Sequence, residues 1–229
     1  MTDIAVIDYG MGNLRSVSKA VEHVAPGLRV EVTSDPQVVR RAQRVVFPGQ
    51  GAMPDCMREL DARGLRPAVL EAARVKPFLG ICIGLQMLFD RSEEGNVEGL
   101  GFLPGTVERF PSASDATDPS GARLKVPHMG WNEVHQTLRH PLWEGIPTGS
   151  RFYFVHSYYP VPAERSIMAG YSLYPLPFTC AVAAGSLFAV QFHPEKSQAA
   201  GLRLLRNFVH WNGVYAQSVA HESLPRVEP

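Results

Sequence analysis

The sequence predicts an α/β fold of three layers: a mostly parallel central sheet with helices on both faces and an antiparallel β extension in the C-terminal half. Three observations predict it. Over residues 1–95, short apolar runs alternate with segments whose apolar residues recur at helical spacing, the pattern of parallel strands joined by crossover helices. Over residues 100–193, short β runs follow one another with few helices between them, which suits antiparallel pairing. The 229 residues, 45% hydrophobic and 19% charged, can bury a substantial core in one domain of ordinary size. That domain is expected to fill residues 1–215, with residues 216–229 a frayed tail.

The first strand is the apolar run from Ile4 to Asp8. Gly10, Met11, Gly12 and Asn13 then turn the chain into a helix carrying Leu14, Val17, Val21 and Val24. Those glycines also suggest a dinucleotide loop, but Arg15 stands where its third glycine belongs, so a tight strand–helix turn is preferred. Leu28 to Val32 forms a second strand, and the Asp35-Pro36 pair opens a helix that runs to about Gln43. The third strand, Arg44 to Phe47, ends in Pro48, Gly49, Gln50 and Gly51. Glycines just past a strand can aim backbone N–H groups at an anion, or simply make a turn. Helical patterns follow over residues 54–63 and 67–75. The buried-strand run Pro77 to Ile81 comes next, then helical spacing of Leu85, Leu88 and Phe89.

The later β runs are Gly105 to Phe110, Lys125 to Val134, Arg151 to Tyr159, Ile167 to Ser172, Thr179 to Ala184 and Leu187 to Phe192. Ser112 to Ala122 is rich in Ser, Asp, Pro and Gly and reads as an exposed loop. The closing helix spans Gln198 to Trp211, with Leu202, Leu205, Phe208 and Val209 on its apolar face.

Composition removes several classes of function. Lys plus Arg equals Asp plus Glu, 22 each, so no bulk field recruits nucleic acid or an anionic membrane. No apolar run approaches the length of a membrane span, and residues 1–20 lack the pattern of a signal peptide. Cys56, Cys82 and Cys180 are odd in number and far apart. They resemble neither a disulfide framework nor a zinc site, and a reducing cytoplasm is the expected setting.

The chemistry centres on Cys82. Gly80 and Gly84 bracket it at the change from strand to helix, where two backbone arms can approach closely and hold the residue on a sharp turn. A thiol there sits at a helix N-terminus, whose N–H groups and dipole favour the thiolate. In isolation, a cysteine between Ile81 and Ile83 is also an ordinary buried apolar residue. Catalysis needs a base and a group that orients it. His193 follows the buried run Leu187 to Phe192, and Pro194 holds it extended, placing the imidazole and the Glu195 carboxylate on one side of the chain. His128, His135, His140 and His156 are rivals on chemistry alone. His156, inside an apolar strand, is the strongest of them.

Gly80-Ile81-Cys82-Ile83-Gly84-Leu85-Gln86, together with His193-Pro194-Glu195, resembles the class I glutamine amidotransferases, whose triad is Cys–His–Glu. Finer motifs are Asp8 to Leu14, Pro48 to Ala52, Val126 to Asn132, Phe152 to Tyr159 and His193 to Ser197. They are similar, in order and over nearly the whole chain, to those of the glutaminase subunits that feed a (β/α)8-barrel synthase of histidine biosynthesis. Two positions depart from the family pattern: Ile83 where Leu is frequent and Gln50 where Val is frequent. The segments 111–124 and 160–178 look long for the family and carry no assigned role.

The resemblance implies hydrolysis of L-glutamine to glutamate and ammonia through a thioester on Cys82, with His193 as base and acid and Glu195 holding its tautomer. It implies oxyanion donors at Gln50, Gly51 and Ile83. It also implies a substrate site at Gly49, Gln86, Glu94, Ser157 and Tyr158. Asn13, Trp131, Tyr153 and Lys196 match positions that face the barrel partner, which makes imidazole glycerol phosphate and an aminoimidazole carboxamide ribotide. No cofactor or metal is implied, and neither nucleic acid nor a membrane is an expected partner. Two other readings stay open: a glutaminase subunit of another synthase, such as the pyridoxal phosphate one, and a non-catalytic α/β binding subunit.

Overall fold

A computed structural model describes residues 2–111 and 125–215. The expected Ser112–Ala122 loop and the tail from residue 216 lie outside the described residues. The first half alternates as its apolar periods demand: β1 (Ile4–Ile7), α1 (Leu14–Val24), β2 (Val30–Thr33), α2 (Pro36–Arg41), β3 (Arg44–Gly49), α3 (Met53–Ala62), α4 (Arg66–Val75) and β4 (Phe78–Cys82). Side chains choose the helix starts. Asn13 accepts from the Ser16 N–H at 3.4 Å to cap α1, and Asp35 accepts from Gln37 N–H at 2.7 Å ahead of Pro36.

A one-turn helix α5 (Ile83–Gln86) follows Cys82, and the chain then enters β5 (Phe89–Ser92) and β6 (Val97–Glu98). The helical spacing through Phe89 is therefore not realised beyond one turn. Phe89 instead pairs with Leu103 of β7 (Leu103–Arg109) in a second sheet. The run Arg151 to Tyr159 is also divided. β9 (Ser150–His156) pairs with β8 (His128–Gln136), while β10 (Tyr158–Pro162) crosses to β7. Ser157 is the joint. The remaining elements are β11 (Met168–Leu173), β12 (Pro177–Ala184), β13 (Leu187–Val190) and α6 (Gln198–His210).

Among the described residues, nine strands form the central sheet in the order β2-β1-β3-β4-β13-β12-β11-β8-β9, and four form the smaller one, β10-β7-β5-β6. The strands from β2 to β13 run parallel to one another, and those from β12 to β9 extend the sheet antiparallel. β1, β4 and β13 are buried along their whole length, as parallel strands covered on both faces must be. The step from β1 to β2 runs toward one edge, whereas β2 to β3 and β3 to β4 run toward the other. Right-handed crossovers then place α1 on one face and α2 and α4 on the opposite one. The contacts agree, since α1 packs on α6 and α2 on α4.

In α6 the buried stripe is Gly201, Leu204, Leu205, Phe208 and Val209. Leu204 takes the central place expected of Leu202, which is half-buried at the stripe's edge. Among the described residues, no helix is long and apolar enough to cross a membrane.

Candidate active site

Cys82 ends β4 with φ 55° and ψ −113°, a left-handed conformation that an L-residue adopts only when its surroundings hold it there. Close packing does so. A Cβ on Gly84 would strike the Phe47 carbonyl oxygen of β3, and one on Gly80 would lie 2.9 Å from Ala189 Cβ of β13. The bracketing glycines thus let β3, β4 and β13 close around the turn. With only one helical turn following, the Cys82 side chain makes no capping hydrogen bond to α5 and has little of a macrodipole behind it, so the expected helix-end support is smaller than a full helix would supply.

His193 is delivered by β13. Its N–H donates to Tyr153 O at 2.9 Å. Ser197 Oγ fastens the same turn by donating to His193 O at 2.6 Å and accepting from Tyr153 N–H at 3.0 Å. His193 Nδ1 lies 2.9 Å from Glu195 Oε1, and the Glu195 side chain is only 1% exposed. The other ring nitrogen, Nε2, has no nitrogen or oxygen partner among the described residues and shares a cavity with the Cys82 thiol. Burial pushes the imidazole down, but the neighbouring Cys82 and the Glu195 carboxylate more than reverse that and raise it to about 10. The arrangement favours an imidazolium beside the Cys82 sulfur.

That cavity, about 250 Å3, is lined by both residues and by Gln50, Gly51, Ile83 and Gln86. Glu94, Ser157 and Tyr158 complete most of its wall. Of the residues expected at the substrate site, only Gly49 is away from the cavity: it is buried inside β3, opposite Cys82. Glu94 is not a free loop acid, because its Oε2 accepts from Met53 N–H at 2.9 Å. Gln86, 1% exposed, donates from Nε2 to Tyr158 O and to Gln191 Oε1, each at 3.0 Å, while its Oε1 has no partner among the described residues. Cys56 Sγ lies 3.6 Å from Gln50 O and fixes the peptide that carries the Gly51 N–H.

Gln191 escaped the sequence reading. Fully buried, it directs Nε2 at Cys82 Sγ from 3.8 Å. The available signal was a lone amide in the apolar run Leu187 to Phe192, where a polar side chain has to be satisfied internally.

Three of the four expected partner-facing residues cluster on one surface. The Trp131 and Tyr153 rings are 6.1 Å apart across β8 and β9, and Lys196 Nζ lies 5.8 Å from the Tyr153 ring centre. Asn13 is exposed but occupied as the α1 cap.

A strained thiol, a carboxylate-oriented imidazole and nearby backbone N–H groups can together attack and cleave an amide. The model of the family Glutamine amidotransferase class-I matches residues 5–211, and the chain belongs to that family. It is 68% identical over 214 residues to the imidazole glycerol phosphate synthase subunit HisH of Nitrosospira multiformis, covering 93% of this chain and 100% of that one. To the protein of the same name from Thiobacillus denitrificans it is 67% identical over 210 residues, 92% of each chain. The solved structure of PurLQS from Thermotoga maritima, 18% identical, shares the fold at a TM-score of 0.64, covering 91% of this chain and 98% of that chain.

Proposed function

We propose that the chain is the glutaminase subunit of an imidazole glycerol phosphate synthase of histidine biosynthesis, with residues 1–215 as its amidotransferase domain. The observation that carries this reading is the open Nε2 of His193, set by Glu195 and sharing a cavity with the strained Cys82. The Cys82 thiolate adds to the side-chain carbonyl of glutamine. The tetrahedral oxyanion is met by the N–H groups of Ile83 and the Gln50–Gly51 turn, each such donor being worth roughly 3–4 kcal/mol when removed. His193 gives its proton to the leaving nitrogen, so ammonia departs and a γ-glutamyl thioester remains. Water, deprotonated by His193, then attacks the thioester and releases glutamate and the thiolate.

Gln86 Oε1, a buried acceptor without a partner among the described residues, suits the ammonium end of the substrate, with Glu94 and the backbone of Ser157 and Tyr158 beside it. Ammonia in bulk water is mostly protonated, so direct transfer to a (β/α)8-barrel cyclase subunit conserves the reactive form. Trp131, Tyr153 and Lys196 form the face for that subunit, and Asn13 is a further contact to it. Three free, buried cysteines fit a reducing cytoplasm.

The test is ammonia production from glutamine, with and without the cyclase subunit and its nucleotide substrate, in wild type and Cys82→Ala. We expect weak release from the isolated chain, a large rise in the complex and none from the variant. Full activity of the isolated chain would remove the coupling. Undiminished activity of Cys82→Ala would remove the mechanism.

A further inference from the structure

At the cavity wall lies a pair of buried histidines that the proposed chemistry does not use: His156 is part of the lining, and His128 is hydrogen-bonded to it without reaching the cavity. His128 Nδ1 and His156 Nε2 are 2.9 Å apart. Their protons can be placed, because backbone groups anchor the chain at both ends. At one end, His156 Nδ1 is 2.8 Å from Tyr158 O, which can only accept. His156 therefore carries its proton on Nδ1 and accepts at Nε2, so His128 must donate from Nδ1. At the other end, Asn132 has its amide oriented by Glu133 N–H, which donates to Oδ1 at 2.8 Å, and by Leu173 O, which accepts from Nδ2 at 2.9 Å. The second Nδ2 hydrogen is left for His128 Nε2 at 3.3 Å, which must accept. The two ends independently require the same tautomers. The ring of His128 is sandwiched between Tyr174 and Phe154, with centroids at 4.0 and 4.9 Å, and cannot turn without unstacking.

The chain ends on the carbonyl that also accepts from Gln86, whose amide leads through Gln191 to the Cys82 sulfur. It begins on β8, the strand that exposes Met129 and Trp131. We propose that Asn132, His128 and His156 are positioning residues: a directed hydrogen-bond chain that holds the Tyr158 carbonyl and the Gln86 amide in register with the β8–β9 surface. The proposal rests on the reading of the cavity as the glutamine pocket. Because each donor and acceptor in the chain is already used, it positions groups and does not carry protons. It also explains why His156, the strongest rival base by sequence, is unavailable to the thiol: both of its nitrogens are engaged away from it.

The test has two arms. In the 15N-histidine NMR spectrum of the full chain at neutral pH, His128 and His156 should both be neutral with the proton on Nδ1. Two Nε2–H rings, or an imidazolium at either position, would overturn the proposal. In the complex with the cyclase subunit, His128→Phe keeps the ring stack and removes both nitrogens. It should raise KM for glutamine about tenfold with a much smaller fall in kcat, the size of effect for a buried acceptor left unpaired. His128→Asn, which returns an N–H near the position of Nδ1, should recover most of that loss. An unchanged KM, or a fall in kcat alone, would overturn the proposal. If His128→Phe does not fold, Asn132→Ala offers the same kinetic test from the other end of the chain. A wild-type complex that cannot hydrolyse glutamine would instead defeat the glutaminase reading, while the tautomers would still decide whether the chain exists.

Discussion

Replacing Gly84 by Ala sets two effects of opposite sign against each other. Gly84 lies in the single turn α5, where Ala is favoured over Gly by about 1 kcal/mol of helix propensity. Its φ is not left-handed, so no backbone strain arises from the new side chain. Packing decides the outcome. The added Cβ would overlap the Phe47 carbonyl oxygen and come within 3.0 Å of the Phe47 carbonyl carbon, and neither is the end of a flexible side chain that can swing away. Overpacking against fixed neighbours costs about 1–3 kcal/mol and more where backbone must move, so we expect a net loss of at least about 2 kcal/mol. At about 2–4 °C per kcal/mol for a chain of this size, Tm should fall by roughly 4–8 °C. The displaced turn carries Cys82, and a shift near 1 Å at a reacting atom costs on the order of a hundredfold in rate. Calorimetry and glutamine turnover in the complex measure both quantities. A variant with unchanged Tm and turnover within threefold of wild type would refute the claim that close approach of β3 to the turn builds the site.

Other expectations follow from the same contacts. Glu195→Gln removes the carboxylate on His193 Nδ1 and should lower kcat by a factor of roughly 10⁴ with a modest change in KM, as loss of the orienting acid does in comparable triads; a fall below threefold in steady-state turnover would contradict the role of Glu195. Lys76 Nζ donates to Arg40 O at 2.7 Å and Ala42 O at 2.8 Å, tying the end of α2 to the start of β4. Lys76→Met keeps the stem but strips those carbonyls, and should cost about 1–3 kcal/mol in urea unfolding. Stability should also fall on acidification. Burial depresses His128 to about 4 and His140 and His156 to about 3, so below pH ~6.5 the unfolded chain takes up protons that the folded chain refuses. Each contributes a slope of up to about 1.4 kcal/mol per pH unit until its folded value is reached. His193 acts oppositely: raised to about 10, its contribution is full below pH ~6.5 and is lost as pH rises toward 10. Urea midpoints across the pH range should therefore peak near neutrality, and a midpoint that holds steady down to pH ~4 would contradict the buried neutral histidines.

The parts of the fold readable in advance were those governed by local pattern. β1, β3 and β4 stand where unbroken apolar runs predict them, and the Asp35-Pro36 start of α2 is a local hydrogen bond joined to a local dihedral preference. The failures have a different origin. Leu85, Leu88 and Phe89 keep helical spacing, yet Phe89 is claimed by β7, a partner 14 residues away whose pairing outweighs one weak turn. Similarly, nothing between Arg151 and Tyr159 marks Ser157 as the point where the chain leaves one sheet for another. That exchange is decided by β7, which offers Arg109 to Tyr158 while β8 offers His128 to His156.

The histidines carry the same distinction into chemistry. His193 and His156 both close apolar strands, and as residue types they are equivalent. What separates them is what reaches each ring through space. His156 meets a backbone carbonyl on one nitrogen and another neutral imidazole on the other, so burial, joined by the nearby His128 and His193 rings, outweighs the pull of the Tyr158 carbonyl and keeps it neutral. His193 is just as buried, but a carboxylate two residues along is folded back onto Nδ1 by the turn at Pro194, and Cys82 arrives from β4. Only the first of those two contacts is local, which is why His193-Pro194-Glu195 could nominate the base while the inertness of His156 could not be read from its neighbours in sequence. The charge nearest the Cys82 sulfur is that of the His193 imidazolium, because the single turn behind it supplies few aligned dipoles. On that account, removing Glu195 weakens the nucleophile as well as the base, and Cys82 in Glu195→Gln should be alkylated by iodoacetamide several-fold more slowly than in wild type at neutral pH. Equal alkylation rates would return the thiolate's stabilisation to the backbone N–H groups of Ile83 and Gly84.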